Sequence, residues 1–150
     1  MILGIRNHSN GMRYAVIDKN NGKYSFININ SENNLIFPEC CELYCDKLSW
    51  LYQELVRIYT VYPKIIKIAI KVNEFNKMTR ENSTSRETAG YDAATILFAK
   101  SNNLEIETRF YSQINTSSKT VQSDAEQLFG RTTPWKSNIA DALMVAAKVI

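Results

Sequence analysis

Between Asn73 and Arg86 the 150-residue sequence interleaves one aromatic ring with cations: Asn73-Glu74-Phe75-Asn76-Lys77-Met78-Thr79-Arg80, and then Arg86. Lys77, Arg80 and Arg86 have the chemistry to neutralise phosphates, and Phe75 has a face on which a base can stack. The competing reading is a solvated connection with Phe75 turned into the core. Ser117-Ser118-Lys119-Thr120 offers hydroxyls and one more cation, Lys119, to a phosphate, although the same residues suit a loop or a helix cap. Two other groupings offer less. Cys40, Cys41 and Cys45 are close in sequence, but no CxxC pair or nearby histidine completes a zinc site, and an odd number does not make a disulfide framework. They are expected to be reduced thiols in a cytoplasmic protein. His8 and Ser9 are adjacent, so their side chains project apart, and no acid is placed to orient the imidazole for nucleophilic catalysis.

Charge is distributed unevenly. The net charge is +3, with 18 Lys and Arg against 15 Asp and Glu. From Lys64 to Arg86 six cations (Lys64, Lys67, Lys71, Lys77, Arg80, Arg86) face two anions, Glu74 and Glu81. From Ser31 to Val61 five anions (Glu32, Glu39, Glu42, Asp46, Glu54) face two cations, Lys47 and Arg57. An anionic partner, DNA or RNA, is therefore expected on the basic part. Hydrophobic residues at 45% and charged residues at 22% fit one globular domain spanning 1–150. No stretch approaches the roughly 20 apolar residues of a membrane span. The first residues lack the basic-then-apolar pattern of a secretory signal, so a cytoplasmic location is expected.

The elements that must position these groups follow from periodicity and turn chemistry. Three strands are predicted near residues 1–7, 12–19 and 23–30, with Asn20-Asn21-Gly22 as a hairpin turn. A helix follows over 46–60, stopped before Pro63, and then a β-branched strand over 65–72. A second helix is predicted over 85–101 and a strand over 104–110. A short helix opens at the capping-box pattern Ser123-Asp124-Ala125-Glu126 and ends at Gly130. The last helix covers 138–150 behind a Ser137 cap. This order predicts an α/β protein with a mixed five-stranded sheet, three antiparallel strands followed by βαβ units, flanked by helices. Trp50 and Trp135 are expected as core or interface anchors.

Two segments carry a resemblance. One is Ile2-Leu3-Gly4-Ile5 with the turn that follows, and the other is Ile139-Ala140-Asp141-Ala142-Leu143-Met144-Val145-Ala146-Ala147. With the element order over nearly the whole chain, they make the sequence similar to the RNase H-like superfamily, and within it to RuvC-type Holliday-junction resolvases. The resemblance implies phosphodiester hydrolysis by two metal ions, Mg²⁺ or Mn²⁺, held by carboxylates from the first strand, the fourth strand and the last helix. The matching positions here are Arg6, Lys71, Asn138 and Asp141, and only Asp141 is a carboxylate. A hard divalent ion needs anionic oxygens. The resemblance therefore implies a degenerate site without metal or cofactor, in which an Arg6–Asp141 pair links strand to helix, with Lys71 alongside and Asn138 adding a hydrogen bond. A register slip that puts Glu74 in place of Lys71 still leaves Glu74 and Asp141 a poor metal site.

In RuvC-type enzymes the region matching Phe75 approaches DNA and carries an apolar wedge. The leading expectation is a domain that acts by binding nucleic acid or a protein partner. One rival is an active metal-dependent nuclease built from Glu74, Asp92 and Asp141. Another is a structural assembly subunit, such as a homodimer paired through the Tyr- and Leu-rich first helix.

Overall fold

The computed structural model describes residues 1–29, 33–74, 83–130 and 137–150. β1 (Ile2–His8) and β2 (Gly11–Asn20) form an antiparallel hairpin around a two-residue turn, with Ile2 opposite Ile17 and Arg6 opposite Arg13. β3 (Lys23–Phe26) pairs with β2 after the Asn21-Gly22 turn, where both residues adopt positive φ. β5 (Lys67–Lys71) lies parallel to β1, and β6 (Glu105–Arg109) lies parallel to β5. The sheet order is β3-β2-β1-β5-β6.

Among the described residues the sheet has a sixth strand that periodicity does not predict. β4 (Asn34–Ile36) pairs with Gly11–Arg13 of β2, and three residues are too few to show an alternation. The third strand is also shorter than the expected 23–30. After Phe26 the Val16 N–H donates to the buried Asn28 Oδ1 at 2.7 Å, so a side chain takes up a ladder donor and β3 ends there.

Among the described residues four helices cover the sheet: α1 (Tyr44–Val61), α2 (Ser83–Ser101), α3 (Val121–Phe129) and α4 (Ser137–Ala147). A 3₁₀ turn, Tyr111–Ile114, follows β6. α3 starts a few residues before the predicted capping box. Thr120 holds the cap position and Ser123, already inside the helix, donates its hydroxyl to the Thr120 carbonyl. Gly130 ends α3 at φ 67°, as predicted. No described helix is long and apolar enough to cross a membrane.

Strand alternation divides the core. Ile2, Ala15, Ile17 and Ala69 pack against α3 and α4, while Leu3, Ile5, Val16, Ile68 and Ile70 pack against α1 and α2. On the α4 side the closest approach is at Gly4. A Cβ there would lie 1.9 Å from the Ala142 carbonyl oxygen and 2.8 Å from the Ala146 Cβ. The backbone of α4 therefore sits directly on β1, which sets where the next polar residue of α4, Asp141, meets the strand. Gly4→Ala is expected to lower stability by about 3 kcal/mol, at or above the usual range for overpacking, because a backbone carbonyl must move. Urea unfolding measures this, and a loss under about 0.5 kcal/mol would show that α4 is free to retreat.

Candidate functional site

At the carboxyl end of β1 the alternation turns polar. Arg6 follows Ile2 and Gly4 on the α4 side, and Asn7 follows Leu3 and Ile5 on the α2 side. Each meets a buried aspartate.

Arg6 Nε lies 3.2 Å from Asp141 Oδ2, with the Arg6 side chain 16% exposed and that of Asp141 2% exposed. The contact is an ion pair and not an aligned hydrogen bond. The rest of the guanidinium binds β5 and its continuation, with Nη1 donating to the Lys71 carbonyl at 3.0 Å and Nη2 to Asn73 Oδ1 at 2.6 Å. The Tyr111 hydroxyl donates to Asp141 Oδ1 at 2.8 Å. Burial pushes the Asp141 carboxyl above its ordinary range, opposed by the Tyr111 hydrogen bond and by Arg6 and Lys71. Burial and the neighbouring Asp141 push the Tyr111 phenol well up, so it keeps the proton it donates.

Lys71 ends β5 and is buried. Its Nζ donates to the Val72 carbonyl at 2.7 Å, sits 3.7 Å from the centre of the Tyr111 ring, and lies 3.5 Å from Glu74 Oε1. Burial, then the Arg6 charge, pull its pKa down from the ordinary lysine value. Glu74 also accepts the Tyr111 backbone N–H. The hydrogen bond to Asp141 expected from Asn138 comes from Tyr111 instead. Asn138 is half-buried one turn earlier on α4, and its side chain makes no hydrogen bond among the described residues. Tyr111 follows β6 in a 3₁₀ turn, and no spacing signal connects it to residue 141.

On the opposite face Asn7 Nδ2 donates to Asp92 Oδ1 at 2.8 Å and stands 3.5 Å from Thr95 Oγ1, both on α2. Burial pushes the Asp92 carboxyl up to about 6, against the Asn7 hydrogen bond and the Arg6 and Lys71 charges. Asp92, Asn73, Glu74, Val72, Ile96 and Phe110 line a cleft of about 600 Å³. Asp92 and Asp141 thus lie on opposite faces of β1. Among the described residues no three Asp, Glu, His or Cys side chains come together as a metal-ligand group. The donor set at Asp141 does not suit a divalent cation, since one oxygen faces a guanidinium, the other accepts a phenol proton, and a lysine lies nearby.

The basic residues singled out in the sequence do not form one described surface. Phe75, Lys77 and Arg80 lie outside the described residues, as does Trp135. Arg86 is exposed on α2 and Lys119 is exposed just before α3, and these helices cover opposite faces of the sheet. Cys40 and Cys45 are exposed and Cys41 half-buried, all as free thiols.

No protein-family model and no curated protein matches the sequence. Solved structures do match. Thermus thermophilus RuvC in complex with a Holliday junction substrate superposes with TM-score 0.80 at 14% identity, covering 98% of this chain and 90% of that one. A second Thermus thermophilus RuvC structure gives 0.75 at 12% identity, covering 98% and 91%. The yeast mitochondrial Holliday junction resolvase Ydc2 gives 0.58 at 12% identity, covering 98% and 76%. The chain has the RNase H-like α/β fold. Within that class its architecture is RuvC-like.

Two predictions follow from the paired aspartates. Arg6→Met leaves the buried Asp141 without its ion-pair partner, with only the Tyr111 hydrogen bond and the more distant Lys71 charge, and is expected to cost about 3–5 kcal/mol. Adding Asp141→Leu is expected to restore most of that loss in chemical denaturation, and additive losses would show that the two residues are uncoupled. For Asp92 the folded-state pKa is raised, so its contribution to stability is full below the unfolded value near 4 and is lost as pH rises through about 6. Asp92→Asn is therefore expected to stabilise the protein by on the order of 2 kcal/mol at about pH 8, with the gain disappearing near pH 4. Equal thermal shifts at both pH values would contradict this.

Proposed function

We propose that this chain binds nucleic acid as a RuvC-type domain whose catalytic centre has been replaced by an internal ion pair. The observation that carries this reading is the engagement of Asp141: Arg6 and Tyr111 occupy its two oxygens, and the Lys71 ammonium lies on the Tyr111 ring. Hydrolysis through two metal ions needs carboxylates with free oxygens, and fixed cations repel the ions that would bring them together. Within the cluster Arg6 and Lys71 are answered by Asp141 and Glu74, so the charge that favours a polyanion is the excess of cations over anions between Lys64 and Arg86. The likeness to an RuvC bound to a Holliday junction substrate supports a branched DNA as the first ligand to test.

The test combines cleavage and binding. Four-way junctions and single-stranded DNA are incubated with the protein and Mg²⁺ or Mn²⁺, and no cleavage is expected. A salt-dependent gel shift is expected, weakened by Lys77→Glu combined with Arg80→Glu. Cleavage that Asp141→Asn abolishes would establish the active-nuclease alternative. No shift at low salt would leave an assembly subunit as the remaining reading.

A further inference from the structure

One side of α2 borders the cleft that Asp92 lines. Ala89, Asp92, Ala93 and Ile96 recur at i, i+3, i+4 and i+7, so they share a helix face, and all four line the cleft of about 600 Å³. Val72, which follows β5, and Phe110, which follows β6, line it as well. The cleft therefore opens between α2 and the carboxyl ends of two adjacent parallel strands, where open α/β sheets take their ligands. Ala89 and Ala93 leave room that larger side chains would fill. Asp141, on the other face of β1, does not line it.

Asp92 is the buried polar group of this surface, 8% exposed. Its Oδ1 accepts the Asn7 amide at 2.8 Å. Its Oδ2 has no hydrogen bond among the described residues and is not fully enclosed, so it is the acceptor that Asp92 presents to the cleft. The nearby cations, Arg6 and Lys71, are paired with Asp141 and Glu74. With its pKa near 6, Asp92 is mostly ionised at pH 7 and lacks a cation in contact. A carboxylate oxygen without a donor is costly until a ligand supplies one. Glu74 also lines the cleft, so the charge there disfavours a phosphate and favours an N–H donor. Phe110, 42% exposed, adds an aromatic face on which a flat ring can stack.

We propose that this cleft takes an unpaired nucleobase that carries an exocyclic amino group. The ring lies among Val72, Ala89, Ala93 and Ile96 and stacks on Phe110, and the amino group donates to Asp92 Oδ2. The volume exceeds that of one base and falls in the usual range of small-molecule sites, with apolar walls and few polar groups to fix orientation. The phosphates stay outside, away from Asp92 and Glu74. That the base belongs to a bound nucleic acid rests on the function proposed above.

Cytosine and uracil share a ring size and differ at one edge, an amino donor against a carbonyl acceptor. Binding of the intact protein to oligodeoxycytidine and to oligodeoxyuridine of equal length is measured by fluorescence anisotropy at one salt concentration and at pH 8, where Asp92 is ionised. Oligodeoxycytidine is expected to bind about tenfold more tightly. Asp92→Asn is expected to cut that preference to about twofold or to reverse it, because an amide offers a donor as well as an acceptor. Phe110→Ala is expected to weaken both about tenfold and to leave the preference standing. Equal affinities, or a tenfold preference that survives Asp92→Asn, would overturn the site and leave nucleic-acid binding intact. Unchanged binding by Phe110→Ala would overturn the stacked base. Binding of neither oligonucleotide while a four-way junction still shifts would overturn the site alone, and binding of no DNA would overturn the site and the proposed function together.

Discussion

Gly4 has no side chain, and the backbone of α4 fills the space where one would be. The Ala142 carbonyl lies 1.9 Å from the position a Cβ would occupy, a distance only glycine permits. Small residues on α4 meet this flat point on β1, so the helix cannot tilt away without opening the core around Ile2, Ala15 and Ala69. Asp141 precedes Ala142 and Arg6 follows Gly4 by two residues. One close contact between two backbones therefore brings the two charges to ion-pair distance.

The carboxyl end of β1 carries two buried acids that differ in their partners. Asp141 meets a guanidinium and a phenol, whereas Asp92 meets the neutral Asn7 amide. Burial raises both carboxyls, but only Asp141 has a full positive charge in contact. The single residue step from Arg6 to Asn7, which turns the side chain to the other face, makes the difference. It also keeps the two carboxylates apart, although both lie near the same strand end.

Much of this is legible in the sequence because it rests on short-range rules. Asn21-Gly22 takes the positive φ values that its turn demands, and the β-branched run before Lys71 becomes the buried parallel strand. The Arg6–Asp141 meeting is legible only through the resemblance, which sets the end of the first strand against the start of the last helix. The opposition of Arg6 and Arg13 is readable too, since a two-residue turn at Ser9-Asn10 fixes every partner in the hairpin. Other features depend on contacts between residues distant in sequence. Tyr111 reaches Asp141 from a 3₁₀ turn 30 residues away, and Asn73 reaches Arg6 across 67. No periodicity encodes either contact. The start of α3 is missed for a different reason: Thr120 and Ser123 can both cap, and the choice between them depends on the packing of Val121 and Ala125.

The interruption at Asn28 has a consequence for the outer edge of the sheet. By taking the Val16 N–H into a side-chain hydrogen bond, Asn28 ends β3 at four residues, and β4, which also pairs with β2, has three. At the other border, β6 carries Glu105, Glu107 and Arg109 over five residues. An unpaired strand edge invites another chain to extend the sheet, and short or charged borders discourage it. A polar residue inside an apolar run thus helps to keep the molecule from polymerising through its own β-structure.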